Sequence, residues 1–344
     1  MSLSTRIIPG KLALFLVGKT AQNLETSTVV ESKTLKSAPA YPDVVPKQKI
    51  VKVEQRVVDG VKADFLVKAY LPDIVVVEAS LDIEDIFARG TQEVKRKLFG
   101  ECRQILEGFG SDKDFEEDYT VFCVSKYDGD PEEYLDEFGE KIAQFLKNED
   151  IPLDEEEVRA TLSSSMKYSK DDITIVDWDG AFIFDPQADF QSNIELFEIA
   201  NFQLLRSRIL DADLDKRLVR TLTLLRTSKK LPFFRSRDVR QVLKEVIEIR
   251  TQSILESEAV EHNIKLIGDW YSARLYSLIA KKFHLENWSS GIREKLNTLE
   301  DVYTMAAENF SVSYRATLEF FILGGWFVLL LLYVGEFLMY KIFD

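Results

Sequence analysis

From Phe320 to Gly335 the chain runs for sixteen residues without a charge, and eleven of them are Leu, Ile, Val or Phe. Leu329-Leu330-Leu331-Leu332 would cover every face of a helix, leaving no side for water. A hydrocarbon core takes about 20 helical residues. Counted through Tyr340 the run has 21, with Glu336 near its far end. The apolar residues supply roughly −3 to −7 kcal/mol toward insertion, against about +3 for a carboxylate at mid-bilayer and much less at the edge. The sequence therefore predicts one C-terminal transmembrane helix within residues 318–344, with Phe320, Leu323, Trp326, Leu330 and Tyr333 in the span. Glu319 and Glu336 stand 17 residues apart, about 25 Å along a helix, and are expected at the interfaces. Gly324-Gly325 would permit close helix approach.

Leu12 to Val17 follows Arg6 and Lys11 but is short, is ended by Lys19, and reads as a buried strand rather than a signal peptide. Few residues follow the span. The simplest placement is single-pass, with the N-terminal domain on the cytoplasmic or an equivalent reducing side.

The 344 residues suggest more than one domain, and 46% apolar with 30% charged residues allows a substantial core. A net charge of −14 argues against a dedicated nucleic-acid binder, which needs a basic surface. Cys102 and Cys123 are too few for a disulfide framework or a zinc site and read as buried thiols. His262 and His284 stand alone on helical patterns. No metal or cofactor is expected.

Residues 1–185 read as a mixed α/β domain, with a long loop over 19–49. Ile50–Val58 and Val61–Tyr70 flank Asp59-Gly60, a strong hairpin signal. Ile74–Glu78 reads as a central strand and Tyr119–Val124 as another. A helix is expected over Ile83–Glu107. A second opens at Asp130-Pro131-Glu132-Glu133, a cap, a first-position proline and an acidic first turn, and runs to about Asn148. Ile173–Val176 and Ala181–Phe184 bracket a second hairpin. Residues 186–317 read as helix alone: a long antiparallel hairpin and stalk, broken at Leu231-Pro232. Ile292, Leu296, Leu299, Tyr303, Ala306 and Phe310 keep a 4,3 spacing, a heptad seam for either an intramolecular bundle or a coiled coil between subunits. The expected fold class is thus α+β: an N-terminal mixed α/β domain, a long helical bundle or coiled coil, and one transmembrane helix.

Most chemical motifs fail on inspection. Val17-Gly18-Lys19-Thr20 ends like a phosphate-binding loop, but Ala13 stands where the first glycine belongs. Asp211, Asp213 and Asp215 begin like a calcium loop, but Lys216 replaces the turn glycine and Leu222 the bidentate glutamate. Asp177 and Asp179 could be paired carboxylates, although turn-forming aspartates around Trp178 explain them as well. Against the global charge, Arg226, Lys229, Lys230, Arg235, Arg237 and Arg240 cluster around Phe233 and Phe234. This tip between two helices is expected on the bilayer side, where each basic residue contributes about 1 kcal/mol on an anionic leaflet.

Leu318-Glu319-Phe320 introducing the apolar run, and Glu336 closing it, resemble elements of the required-for-meiotic-nuclear-division family of tail-anchored membrane proteins. That resemblance implies a homo-oligomeric membrane scaffold without catalytic activity. The layout also looks like CorA-type magnesium channels, but those carry two spans and a Gly-Met-Asn motif absent here. The sequence points to a non-enzymatic, membrane-anchored, oligomeric interaction protein that contacts lipid, itself and a protein partner on its acidic surface. The alternative is a CorA-like channel or transport subunit, with Glu319 or Glu336 lining an oligomeric pore.

Overall fold

The computed structural model describes residues 7–21, 24, 48–227 and 270–343, with isolated helical positions at 244, 247, 248, 251 and 255. Its centre is an eight-stranded sheet in the order β2-β3-β4-β1-β5-β8-β7-β6. The strands are β1 (Gly10–Thr20), β2 (Gln48–Val58), β3 (Val61–Tyr70), β4 (Ile74–Ile83), β5 (Ser111–Val124), β6 (Ser165–Met166), β7 (Ile173–Val176) and β8 (Gly180–Phe184). All neighbours pair antiparallel except β5 and β8, which run parallel. Parallel pairing requires a crossover, which α2 (Pro131–Lys147) and α3 (Glu155–Leu162) supply together with β6 and β7.

Each element follows from local chemistry. Leu12 to Val17 is buried on both faces because β1 lies mid-sheet with helices on either side. Asp59 and Gly60 both adopt positive φ, 53° and 83°, as a two-residue hairpin of this hand requires. Asp130 caps α2 by accepting from the Glu132 amide at 3.0 Å, and Asn148 closes it in the left-handed conformation. Ile83 belongs to β4, where it pairs with Gly10, so the helix expected from Ile83 starts only at Thr91 as α1 (Thr91–Glu107). Gly18 of the failed phosphate motif sits mid-strand. A Cβ there would lie 2.7 Å from Leu106 of α1, so helix packing explains the glycine.

Alternation along the strands divides the core. One face packs on α1 and α2 around Leu14, Phe122, Phe182, Cys102 and Phe145. The other packs on α4 (Phe190–Thr227) and α5 (Trp270–Lys282) around Phe15, Tyr119, Phe197 and Ile279. Each fully buried Phe or Leu contributes about 1.5–3 kcal/mol.

The chain divides into two compact units, Met1–Ile209 with Glu256–Ser290, and Leu210–Leu255 with Gly291–Asp344. The sheet belongs to the first. In the second, Leu214 packs on Ile292, Leu296 and Leu299 of α6 (Leu285–Phe343), flanked by Leu210 and Leu218. Lys295 bridges Asp211 and Asp215 at 2.7 Å each, so the calcium-like aspartates form an ion-paired helix face.

The α+β class stands, but two parts of the expected fold are corrected. No long coiled-coil bundle appears among the described residues: the start of the heptad seam is spent on Leu214 within one chain. And no described helix is long and apolar enough to cross a membrane. Sixteen uncharged residues rise about 24 Å, short of a hydrocarbon core of about 30 Å, and Glu336 interrupts before the run is long enough. The membrane span, the tail-anchored character and the single-pass placement with a cytoplasmic N-terminal domain are withdrawn on this finding.

Candidate functional site

Two charged clusters lie within the first unit, one on each face of the sheet. On the α4 face, Lys68 and Tyr70 of β3 and Glu78 of β4 project toward Glu195 and Glu198, one turn apart on α4. The Lys68 ammonium donates to Glu78 at 2.7 Å and to Glu198 at 2.6 Å, and the Tyr70 hydroxyl donates to Glu198 at 2.7 Å. All are buried, Glu198 completely. Burial by itself would push the Lys68 pKa down, but the Glu198 and Glu78 charges outweigh it and hold the ammonium well above its usual range. Burial, then Glu198, raises the Tyr70 phenol. Phe202 stacks on Tyr70 at 4.8 Å and helps seal the network from water. This cluster clamps α4 to the sheet.

The second cluster lies on the α1/α2 face, where β5 and β8 run parallel. Asp118, Thr120 and Phe122 share one face of β5, and Phe122 is in the core. Thr120 pairs with Gly180, and its amide donates to the Asp179 carbonyl at 3.4 Å. Lys95 of α1, only 6% exposed, donates to the side-chain carbonyl of Asn148 at 3.0 Å. Burial pushes the Lys95 pKa down, with Asp118 and Asp179 opposing it. Both aspartates keep solvent access, yet desolvation raises each of them, Asp179 further through the Asp118 charge and Asp118 despite Lys95. Both carboxylates are exposed at the surface of this face. The Thr120 hydroxyl is fully buried and without a hydrogen-bond partner. One turn before Lys95 on the buried face of α1, the Gln92 side-chain nitrogen is also unpartnered.

Asp177 plays a different part from Asp179. It is buried and held by Lys147 of α2 at 3.3 Å and Lys282 of α5 at 3.1 Å, while its carbonyl accepts from Tyr119 at 3.0 Å. Asp177 thus ties both helix layers to the hairpin. Among the described residues, no group of three or more His, Cys, Asp or Glu side chains could hold a metal ion.

A family match places this sheet. Residues 10–191 match the family described as "Uncharacterized protein MJ0711, N-terminal domain". The chain belongs to that family. Over 313 residues it is 28% identical to "Uncharacterized protein MJ0711" of Methanocaldococcus jannaschii, covering 91% of this chain and 93% of that protein. No solved structure matches. The family region starts with β1 and ends just inside α4, so it contains Lys95, Asp118, Asp179, Lys68, Tyr70 and Glu78, whereas Glu198 lies beyond it. Leu318-Glu319-Phe320 and Glu336, which carry the resemblance to the meiotic-nuclear-division family, also fall outside it.

The residues singled out from sequence fare unevenly. Leu323, Trp326, Leu330 and Tyr333 are exposed on α6, as is Glu319. Phe320 and Glu336 are placed only as helical backbone of α6, and Arg226 only as backbone of α4. Lys229, Lys230, Phe233, Phe234, Arg235, Arg237 and Arg240 lie outside the described residues, as does His262. Cys102 and Cys123 are buried free thiols whose pKa values burial pushes up. Lys68, Glu78, Lys95, Asp118 and Glu198 escaped sequence reasoning. Their one signal was a charge at a position where strand or helix period demands an apolar residue, such as Glu78 directly after Ile74-Val75-Val76-Val77.

Proposed function

We propose that this protein is a non-catalytic, homo-oligomeric interaction protein whose copies assemble through Phe321–Val334 of α6. One observation carries the reading: every large apolar side chain in that stretch is between 43% and 77% exposed. Four are aromatic, Phe321, Trp326, Phe327 and Tyr333, and at roughly 150–250 Å² each when fully buried they leave several hundred Å² open to water. With eight aliphatic neighbours, the stretch exceeds the roughly 800 Å² per partner of a standard interface. Water does not tolerate a continuous apolar surface of this size on a lone chain. Because Leu329–Leu332 point to every side, one neighbouring helix cannot cover them, and three or more helices can.

Sedimentation of the full-length chain tests this. A multiple of 39.6 kDa is expected, reduced to the single-chain mass by Leu323→Asp with Leu330→Asp. A single-chain mass for the unaltered protein would overturn the proposal, and so would its uptake by lipid vesicles in place of self-association.

A further inference from the structure

We propose that β2 of one copy pairs antiparallel with β2 of a second copy, in a two-fold register centred on Gln55, and so joins their sheets. The pairing rests on the assembly through α6 to bring the edges together, and it adds a second interface to that assembly.

β2 stands first in the strand order, and among the described residues it pairs with β3 alone. A long unpaired edge is a template for another strand, so proteins usually shorten such an edge, interrupt it with proline or cover it. The opposite edge follows that rule, since β6 has two residues. β2 has eleven, with neither proline nor glycine among them. From Lys52 to Val58 its register on β3 is unbroken. Val58 and Val61 flank the two-residue turn and bond to each other, so Arg56 and Glu54 also turn their amides and carbonyls to β3. The alternate residues, Val53, Gln55 and Val57, turn theirs to the open edge.

The order of side chains suits this strand to itself. About Gln55, the run Val53-Glu54-Gln55-Arg56-Val57 reads apolar, acid, amide, base, apolar. An antiparallel copy centred there sets Val53 opposite Val57, Glu54 opposite Arg56 and Gln55 opposite Gln55, each contact repeated by symmetry. The outward-bonding residues then meet one another, as a ladder requires, and the charged pairs fall at the closer, non-bonded positions. Val53 and Val57 lie on the face away from α1, 64% and 69% exposed, and each would be covered by the other. Glu54 and Arg56 lie on the α1 face, 2.7 Å apart, with Arg56 also on Glu101. The second copy closes them into a square of alternating charge. Sliding the strands by two residues instead opposes Glu54 to Glu54 or Arg56 to Arg56, so the charges select one register. Five paired residues bury far less than the roughly 800 Å² per partner of a standard interface, and the local concentration within the α6 assembly offsets the shortfall.

Disulfide trapping on the full-length chain tests the proposal. Bonded antiparallel partners lie about 5.5 Å apart at Cα, within disulfide reach, and the native thiols Cys102 and Cys123 are buried. Under mild oxidation, Gln55→Cys is expected to give a covalent dimer on a non-reducing gel. Val53→Cys alone and Val57→Cys alone should not, whereas their mixture should. On the Gln55→Cys background, Glu54→Arg and Arg56→Glu should each lower the cross-linked fraction several-fold, and mixing the two should restore it, because every base then faces an acid. Absence of the Gln55→Cys dimer, equal trapping of Val53→Cys with itself, or no recovery on mixing would overturn the proposal. So would capture of a different polypeptide by Gln55→Cys in place of a second copy when the oxidation is done in cell extract. Sedimentation of the unoxidised samples separates the two ideas. Assembly without the cross-link removes the β2 pairing alone, and a cross-link from a chain that sediments singly removes the α6 assembly alone.

Discussion

Lys68 and Lys95 are both buried lysines with two carboxylates nearby, and they end in opposite electrostatic states. Lys68 touches Glu78 and Glu198 directly, so attraction exceeds the cost of leaving water and the ammonium is held charged. Lys95 bonds instead to the neutral Asn148, so desolvation dominates and the charge is disfavoured. The carboxylates differ accordingly. Those around Lys68 are sealed under α4, while Asp118 and Asp179 keep their access to solvent. Contact, rather than mere proximity, decides whether a buried lysine is a clamp or a group whose charge is disfavoured.

This contrast can be broken by mutation, most forcefully at Lys68. Lys68→Met should cost about 3–5 kcal/mol, because Glu78 and Glu198 are left buried without a counter-charge. Urea unfolding measures the loss, and adding Glu78→Met and Glu198→Met should recover much of it. A single variant as stable as the parent would erase the distinction drawn here. Lys95→Met should change stability by under about 1 kcal/mol, since the two aspartates can still be hydrated and the cost of burying an amine disappears. If this substitution is as damaging as the one at Lys68, the two clusters are equivalent clamps.

Asp118→Asn sharpens the comparison through pH. The folded state raises the Asp118 pKa, so above the unfolded value of about 3.9 the unfolded chain binds fewer protons and stability falls as pH rises through that window. Removing the carboxylate should therefore raise the unfolding midpoint near neutral pH, on the order of a degree, with no gain below the carboxylate range. Thermal scans at several pH values would reveal the opposite slope if Asp118 were a satisfied ion-pair partner. The smallest change is expected from Thr120→Val. It replaces an unpartnered buried hydroxyl by an isosteric methyl, so stability should be unchanged or slightly higher by differential scanning calorimetry. A loss of more than about 1 kcal/mol would mean that the hydroxyl is bonded within the fold.

How far these features were legible depends on the range of the interactions behind them. Asp59-Gly60, the Asp130-Pro131 cap and the β-branched run at Ile74 act over a few residues, and each appeared where local chemistry placed it. The start of α1 was misplaced because Ile83 satisfies a helical period but pairs with Gly10, 73 positions away. The expected span came from counting apolar residues in isolation, without giving enough weight to a run too short for the hydrocarbon thickness. Asp177 and Asp179 were noticed as neighbours in sequence, yet the fold separates them: one is buried and joins two lysines, and the other is exposed.

By itself the sequence determined the hairpins, the caps, the apolar faces that became the core, and the acidic balance, since all follow from the period of side chains along one element and from composition. Tertiary structure alone decided which charges meet. Lys68 and Glu198 are 130 residues apart and on different elements, and no periodicity relates them. Whether either lysine keeps its proton depends on the few ångströms between ammonium and carboxylate, a distance that exists only once α4 and the sheet, or α1 and β5, have packed together.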